Sequence, residues 1–213
     1  GSVVGETIIR FEQVDAVRFT GSIEVGQHIA AVCGPALRRF QLELGARTRW
    51  SSSMTPTWTM RSSVPCRVPF VRPGNAAPQA RVSLSVRGLL TALAALLEAM
   101  KTLVVDDALK QGTQIGPVVD EKQREQDLRY IEIDRKEGTR LAWGGERLEP
   151  ETRGYYLSPA LFIDTTNDMR INREEIFGPI ASVIRVRDSE EGLAVANDTR
   201  FGLASGICTR SLK

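Results

Sequence analysis

Three stretches of this sequence bring together residue types able to do chemistry. Gly21 and Ser22 follow the apolar run DAVRFT at 15–20 and precede an amphipathic stretch. A strand that runs into Gly-Ser and then into a helix aims backbone N–H groups and a hydroxyl at a helix N-terminus, where a pyrophosphate can sit. The same residues read equally as a capped helix with no ligand. Glu43 lies near the end of the strand-like QLEL, followed by Leu44 and Gly45; this suits a carboxylate held at a cleft edge as a general base, or simply a solvated glutamate. EEIFGP at 174–179 sets two carboxylates, Glu174 and Glu175, ahead of the Phe177 ring and a turn. One carboxylate of such a set can grip a sugar hydroxyl while the ring packs on a flat heterocycle; the plain alternative is a turn with a core phenylalanine. Gly1 and Gly5, in GSVVG, match the tail of a glycine-rich dinucleotide turn, a pattern that many tight turns share.

Nucleophiles and metal ligands are scarce. Cys33, Cys66 and Cys208 are odd in number and far apart, which fits a reducing, cytoplasmic setting and argues against a disulfide framework or a zinc cluster. No metal is expected. His28 is the single histidine, so any His-assisted Ser or Cys chemistry would rest on one residue that reads more simply as surface or packing. No apolar run approaches the length needed to cross a bilayer, and the first ten residues lack the basic start of a signal peptide.

The elements that must position these residues follow from periodicity. Residues 3–13 read as a short helix and 15–20 as a buried strand. Val25, Ile29, Val32, Cys33, Ala36, Leu37 and Phe40 recur at spacings of three and four, so one helix is expected through Phe40 with Ser22 as its N-cap. QLEL at 41–44 reads as a second strand. Further on come a helix at 93–103, a loop at 112–120, a charged surface helix stopped by Gly138, and four strand-like stretches, TRLAWGG, YYLSPALFID, ASVIRVRD and LASGICT, with the helix SEEGLAVAND before the last. Alternating strands and helices imply an α/β fold with an open sheet.

One segment breaks this order. From 46 to 97 there are seven arginines and no Asp, Glu or Lys, a net charge of +7 that leaves −5 on the rest of a chain whose total is +2. Five of the ten prolines lie there too. So abrupt a change in composition needs a single cause.

In their order and spacing, FTGS with its helix and LELG, then EEIFGP, then NDTRFGLASGI at 197–207, resemble the NAD(P)-dependent aldehyde dehydrogenase superfamily. DDALKQGTQIGPVVDEKQ and GYYLSPALF bring the likeness nearest to its bacterial semialdehyde-oxidising branch. In-frame likeness covers 1–45 and about 93–213. The resemblance implies an internal fragment of an incomplete aldehyde-dehydrogenase-like α/β fold: 1–42 as the C-terminal part of a Rossmann-like dinucleotide-binding domain, 43–213 as a partial catalytic domain. It also implies NAD or NADP as cofactor, a small aldehyde or semialdehyde as substrate, a homo-oligomer for the full-length protein, and neither nucleic acid nor membrane as partner.

In that family a Cys thiolate attacks the aldehyde, hydride passes to the nicotinamide, and a Glu-activated water hydrolyses the thioester. Glu43 matches the base. By the same resemblance Ser22, with Gly1, Gly5 and Gly21 nearby, serves the pyrophosphate, Glu175 the nicotinamide ribose, and Phe177 the cofactor's ring region. The family's LELGGKNP and GQ-x-C are missing. Yet with codons GCA AGA ACC CGC TGG for ARTRW at 46–50, a reading begun one base earlier gives Gly-Lys-Asn-Pro-Leu, and the same shift continues as VVLDDADLDDA. RPGNAAPQAR likewise yields an AGQRCTASS-type stretch. A shifted reading frame over 46–92 therefore accounts for the missing acids, the surplus Arg, Ser and Pro, and the lost periodicity. The nucleophile's codon would straddle Ala76 and Ala77, so the chain is expected to lack the thiol, to be inactive, and to be poorly ordered over 46–92. Two other readings are a basic, Trp-containing arm that grips nucleic acid and an assembly remnant that docks on full-length subunits.

Overall fold

A computed structural model describes residues 2–45, 48–52, 80–85, 89–202 and 205–208, with side chains placed in 2–45 and 93–202. Two compact units divide after Ala46, Gly1–Ala46 and Arg47–Lys213, four residues beyond the boundary expected from sequence.

In the first unit α1 (Ser2–Arg10) and α2 (Ile23–Cys33) accompany two parallel strands, β1 (Ala16–Gly21) and β2 (Arg39–Leu44). Ile9, Ile29 and Cys33 form its buried core, with Val17, Phe19, Val32 and Leu42 packed against them. The apolar stripe expected to carry one helix through Phe40 stops at Cys33. Gly34 and Pro35 follow, and a proline there clashes with the turn before it and offers no N–H to continue the ladder. Leu37 consequently turns at φ 52 with 92% of its surface exposed, and Phe40 belongs to β2. His28 sits on α2, its Nε2 2.6 Å from Glu6 Oε2 of α1.

The second unit contains β3 (Thr48–Ser52), β4 (Ala80–Ser85), α3 (Leu89–Lys101), α4 (Glu121–Lys136), β5 (Arg140–Trp143), β6 (Arg147–Leu148), β7 (Tyr156–Leu157), β8 (Ala160–Thr165), α5 (Arg170–Arg173), β9 (Ile180–Val186), α6 (Ser189–Asn197) and β10 (Ser205–Cys208). Its main sheet has the order β10-β3-β4-β9-β8-β5, parallel throughout except for the antiparallel β5–β8 edge. The two-residue period of β8 divides the core. Leu161 and Ile163 join Ala181, Val183, Leu96 and Met100 on one face, while Ala160 and Phe162 join Ile131, Ile171, Ile176 and Ile180 on the other. Burial on both faces is what a parallel sheet covered by helices requires, and the β9 sequence IASVIRV reads accordingly as an almost unbroken apolar run.

β3 and β4 fall inside the 46–92 segment expected from sequence to be out of frame and poorly ordered. Parallel pairing is made by backbone groups, and ARVSLS keeps Val82 and Leu84 in alternation with Arg81, Ser83 and Ser85. Ala76, Ala77 and Cys66 lie outside the described residues.

Candidate functional site

Three sequence-predicted residues of the first unit, Gly21, Ser22 and Glu43, come together at one strand end. β1 and β2 are parallel and in register, with Thr20 opposite Glu43 and Gly21 opposite Leu44, so Gly21-Ser22 and Glu43 leave the sheet side by side at its carboxyl edge. In open α/β sheets this edge is where ligands bind. Ser22 is the N-cap of α2: its Oγ accepts from Val25 N at 3.3 Å while its backbone stays extended. That bond satisfies one of the helix's free N–H groups, and it makes the capped-helix reading true whether or not a ligand binds. Gly26, one turn in, packs so closely on Leu44 that a Cβ would collide with that side chain. Glu43 is exposed and faces Arg18, whose Nη2 lies 3.5 Å from Glu43 Oε1. Gly5 is inside α1 and not in a turn ahead of it, with open space where a Cβ would go. Gly1 lies outside the described residues.

In the second unit the predicted residues Glu175 and Phe177 share the 174–179 turn, between α5 and β9. Phe177 has φ 63, left-handed backbone that costs an L residue roughly 1–2 kcal/mol, and half of its surface is exposed. The core-phenylalanine alternative therefore fails: the buried apolar residue of this turn is Ile176, which is fully inaccessible, while Phe177 is half exposed. Glu174 faces away into a charged cluster. Arg170 Nη2 donates to Glu174 Oε2 at 2.8 Å and the Tyr130 hydroxyl donates to the same oxygen at 2.6 Å. The Arg170 hydrogen bond, aided by Tyr130, holds the Glu174 carboxyl below its ordinary range. Burial pushes the Tyr130 hydroxyl the other way.

Sequence reading missed the residues beneath this turn because it took α4 as a charged surface helix. Arg124, Asp127 and Asp134 on α4 are all buried. Gln123 Nε2 donates to Asp127 Oδ1 at 2.8 Å and to Ile176 O at 2.9 Å, and Gln126 Nε2 also reaches Ile176 O, at 3.2 Å. Burial, opposed by the Gln123 hydrogen bond, pushes the Asp127 carboxyl up to about 7. Asp134 rises to about 7 through burial first and then the charge of Glu137. A groove of about 410 Å³ runs along the outer side of α4, lined by Lys122, Glu125, Gln126, Arg129, Tyr130, Ile133 and Arg170. Among the described residues there is no group of three or more His, Cys, Asp or Glu arranged to hold a metal, and no helix long and apolar enough to cross a membrane. Cys33 is buried in the first unit's core and packs there as a small apolar residue.

Set beside known proteins, the sequence matches the family model described as "Aldehyde dehydrogenase family" over residues 1–51 and 79–213. It is 33% identical over 215 residues to an alpha-ketoglutaric semialdehyde dehydrogenase of Bacillus subtilis (strain 168), covering 100% of this chain and 44% of that protein. A 2,5-dioxopentanoate dehydrogenase of Saccharolobus solfataricus is 34% identical over 216 residues, with 100% and 45% covered. The fold superposes on the crystal structure of an indole-3-acetaldehyde dehydrogenase complexed with NAD+ with a TM-score of 0.89 at 30% identity, over 98% of this chain and 43% of that one. The chain thus spans less than half the length of the relatives it matches.

Proposed function

Because this chain belongs to the aldehyde dehydrogenase family, we propose that it derives from an NAD(P)-dependent enzyme that oxidises an aldehyde to a carboxylic acid, and that the chain itself lacks the nucleophile. Semialdehydes are the favoured substrate class, since two of its relatives bear semialdehyde or dioxopentanoate names. The observation that carries the reading is the register of β1 and β2, which brings Ser22 and Glu43 together at a carboxyl strand edge.

The first unit's residues fit the pyrophosphate of a dinucleotide. α2 offers the N-terminus of an 11-residue helix, with an exposed hydroxyl and a glycine ahead of it, and Phe177 is presented outward on a strained turn. Gly21 and Ser22 would hold the pyrophosphate; the roles of Glu175 toward a ribose hydroxyl and of Phe177 toward the ring region rest on the family resemblance alone. NAD or NADP, when bound, supplies a hydride acceptor for the aldehyde carbon. In the intact parent enzyme, which has the thiol, Glu43 would take a proton from the water that releases the acid. Its exposure serves that role, since a general base at a strand edge must be reached by water.

The missing thiol follows from the shifted frame proposed for 46–92. The family match leaves 52–78 uncovered, inside that segment and across the Ala76/Ala77 position of the expected nucleophile. The strands at 48–52 and 80–85 are compatible with the shift, because backbone pairing survives a change of side chains. The family's homo-oligomeric assembly, and the cytoplasmic setting read from the three scattered cysteines, are carried to the parent protein as part of the same proposal. The test is incubation of the chain with NAD+ or NADP+ and a panel of aldehydes and semialdehydes. No aldehyde-dependent reduction of the cofactor is expected, and turnover well above a reagent blank would contradict the reading.

A further inference from the structure

We propose that Gln123 and Asp127 of α4 are positioning residues for the 174–179 turn, and that an uncharged Asp127 latches this turn while a charged one loosens it. The inference builds on the reading of Glu175 and Phe177 as cofactor contacts but is carried by its own geometry. One amide, Gln123 Nε2, donates both to Asp127 Oδ1 and to the Ile176 carbonyl, and Gln126 adds a second donor to that carbonyl. The backbone of Gly178 lies so close to the Asp127 carboxyl group that a Cβ there would fall onto it. The turn is thus seated on α4 at Ile176 and Gly178, the two residues that flank Phe177. Seating on both sides is what keeps Phe177 in its left-handed backbone, since a strained residue persists only where its surroundings over-determine it.

Asp127 makes the seat sensitive to protons. It is completely inaccessible, and its Oδ2 has no hydrogen-bond partner. A proton on that oxygen leaves a neutral group, whereas a charge there is buried and half-satisfied. The charged neighbours do not compensate. On α4, Arg124 Nη2 is engaged by Glu121 at 3.1 Å. From the turn's side, Glu174 is held by Arg170 and Tyr130. Burial and the Gln123 bond are the influences acting on Asp127, and burial dominates, which raises the carboxyl to about 7. Because Gly178 covers the carboxyl, water reaches Oδ2 when the turn lifts away. Lifting returns Asp127 to its ordinary acidity, so the open form gains up to about tenfold per pH unit as pH rises toward 7 and no further above it.

The test is peptide-resolved hydrogen exchange of the full chain between pH 5 and 8, expressed as protection after division by the intrinsic rates. Protection of 174–179 is expected to fall severalfold or more per unit up to about pH 7 and then to level. Asp127→Asn, uncharged at every pH, should flatten that dependence. Gln123→Ala should lower protection throughout, and Asp134→Asn should keep the wild-type trend. Protection of the wild-type turn that does not change with pH, or a trend that persists in Asp127→Asn, would overturn the proposal; the wild-type arm decides even where a variant does not fold. Adding NAD+ to the wild type tests the cofactor reading separately. A turn that responds to pH but not to NAD+ sinks that reading and leaves the latch standing.

Discussion

Asp134→Ala should stabilise this protein, by an amount that depends on pH. Asp134 lies in the last turn of α4, the negative end of the helix dipole, where an acidic side chain is disfavoured. It has no exposed surface, and neither carboxyl oxygen makes a well-formed hydrogen bond. The backbone N–H of Ile171 favours its charge slightly, but burial and the neighbouring Glu137 outweigh that and lift it from 3.8 to about 7. A carboxyl raised in the folded state takes up a proton on folding between those two values. Stability therefore declines as pH rises through that window, and the full cost is present above about 7.

Each unit is worth at most about 1.4 kcal/mol. Two units separate pH 5 from about 7, and allowing for partial screening by solvent the gain from Asp134→Ala should be about 1–3 kcal/mol larger at pH 8 than at pH 5. Alanine's better helix propensity adds about 0.5 kcal/mol at both. Urea unfolding of the two proteins at each pH, followed by far-UV circular dichroism, gives the four numbers needed. A variant that is less stable at pH 8, or a gain that is the same at both values, would refute the reasoning.

Three further outcomes follow from the structure. Phe177→Gly removes a left-handed phenylalanine and should raise the urea midpoint by about 1 kcal/mol equivalent while abolishing any NAD+-dependent protection of the turn; a lower midpoint would show that the ring is packed and not merely held outward. Phe162→Ala, at a fully buried position in the core between β8 and α4, should cost about 3–5 kcal/mol in the same assay, and a loss below 1 kcal/mol would contradict the described packing. Ser22→Ala should destabilise the first unit by about 0.5–1 kcal/mol through loss of the α2 cap, seen as faster amide exchange at Val25. Unchanged exchange there would mean that the hydroxyl does not cap.

Legibility differed along the chain for identifiable reasons. β8 and β9 announced themselves through apolar runs, and Gly138 stops α4 with φ 87 as a glycine following a basic last turn should. The Gly21-Ser22 and Glu43 pair was legible because each sits at the end of an apolar strand, and strand order alone brings such ends together. α2 was overextended because periodicity continued past Gly34 and Pro35, where backbone sterics override it. α4 was misjudged because EKQREQDLRYIEIDRK has the composition of a solvated helix; only the tertiary fold shows that Asp127 and Asp134, seven residues apart, share its inward face. β3 and β4 escaped notice because their surroundings suggested no selected pattern at all, although a parallel strand needs little more than an unobstructed backbone.

Why 46–92 departs in composition from its flanks is answered most directly by the encoding nucleotide sequence across that segment. A second frame that reads Gly-Lys-Asn-Pro directly after Leu-Glu-Leu-Gly and Gly-Gln-x-Cys at the position of Ala76 and Ala77 is the predicted result. An unbroken gene in which no other frame encodes either motif would contradict it.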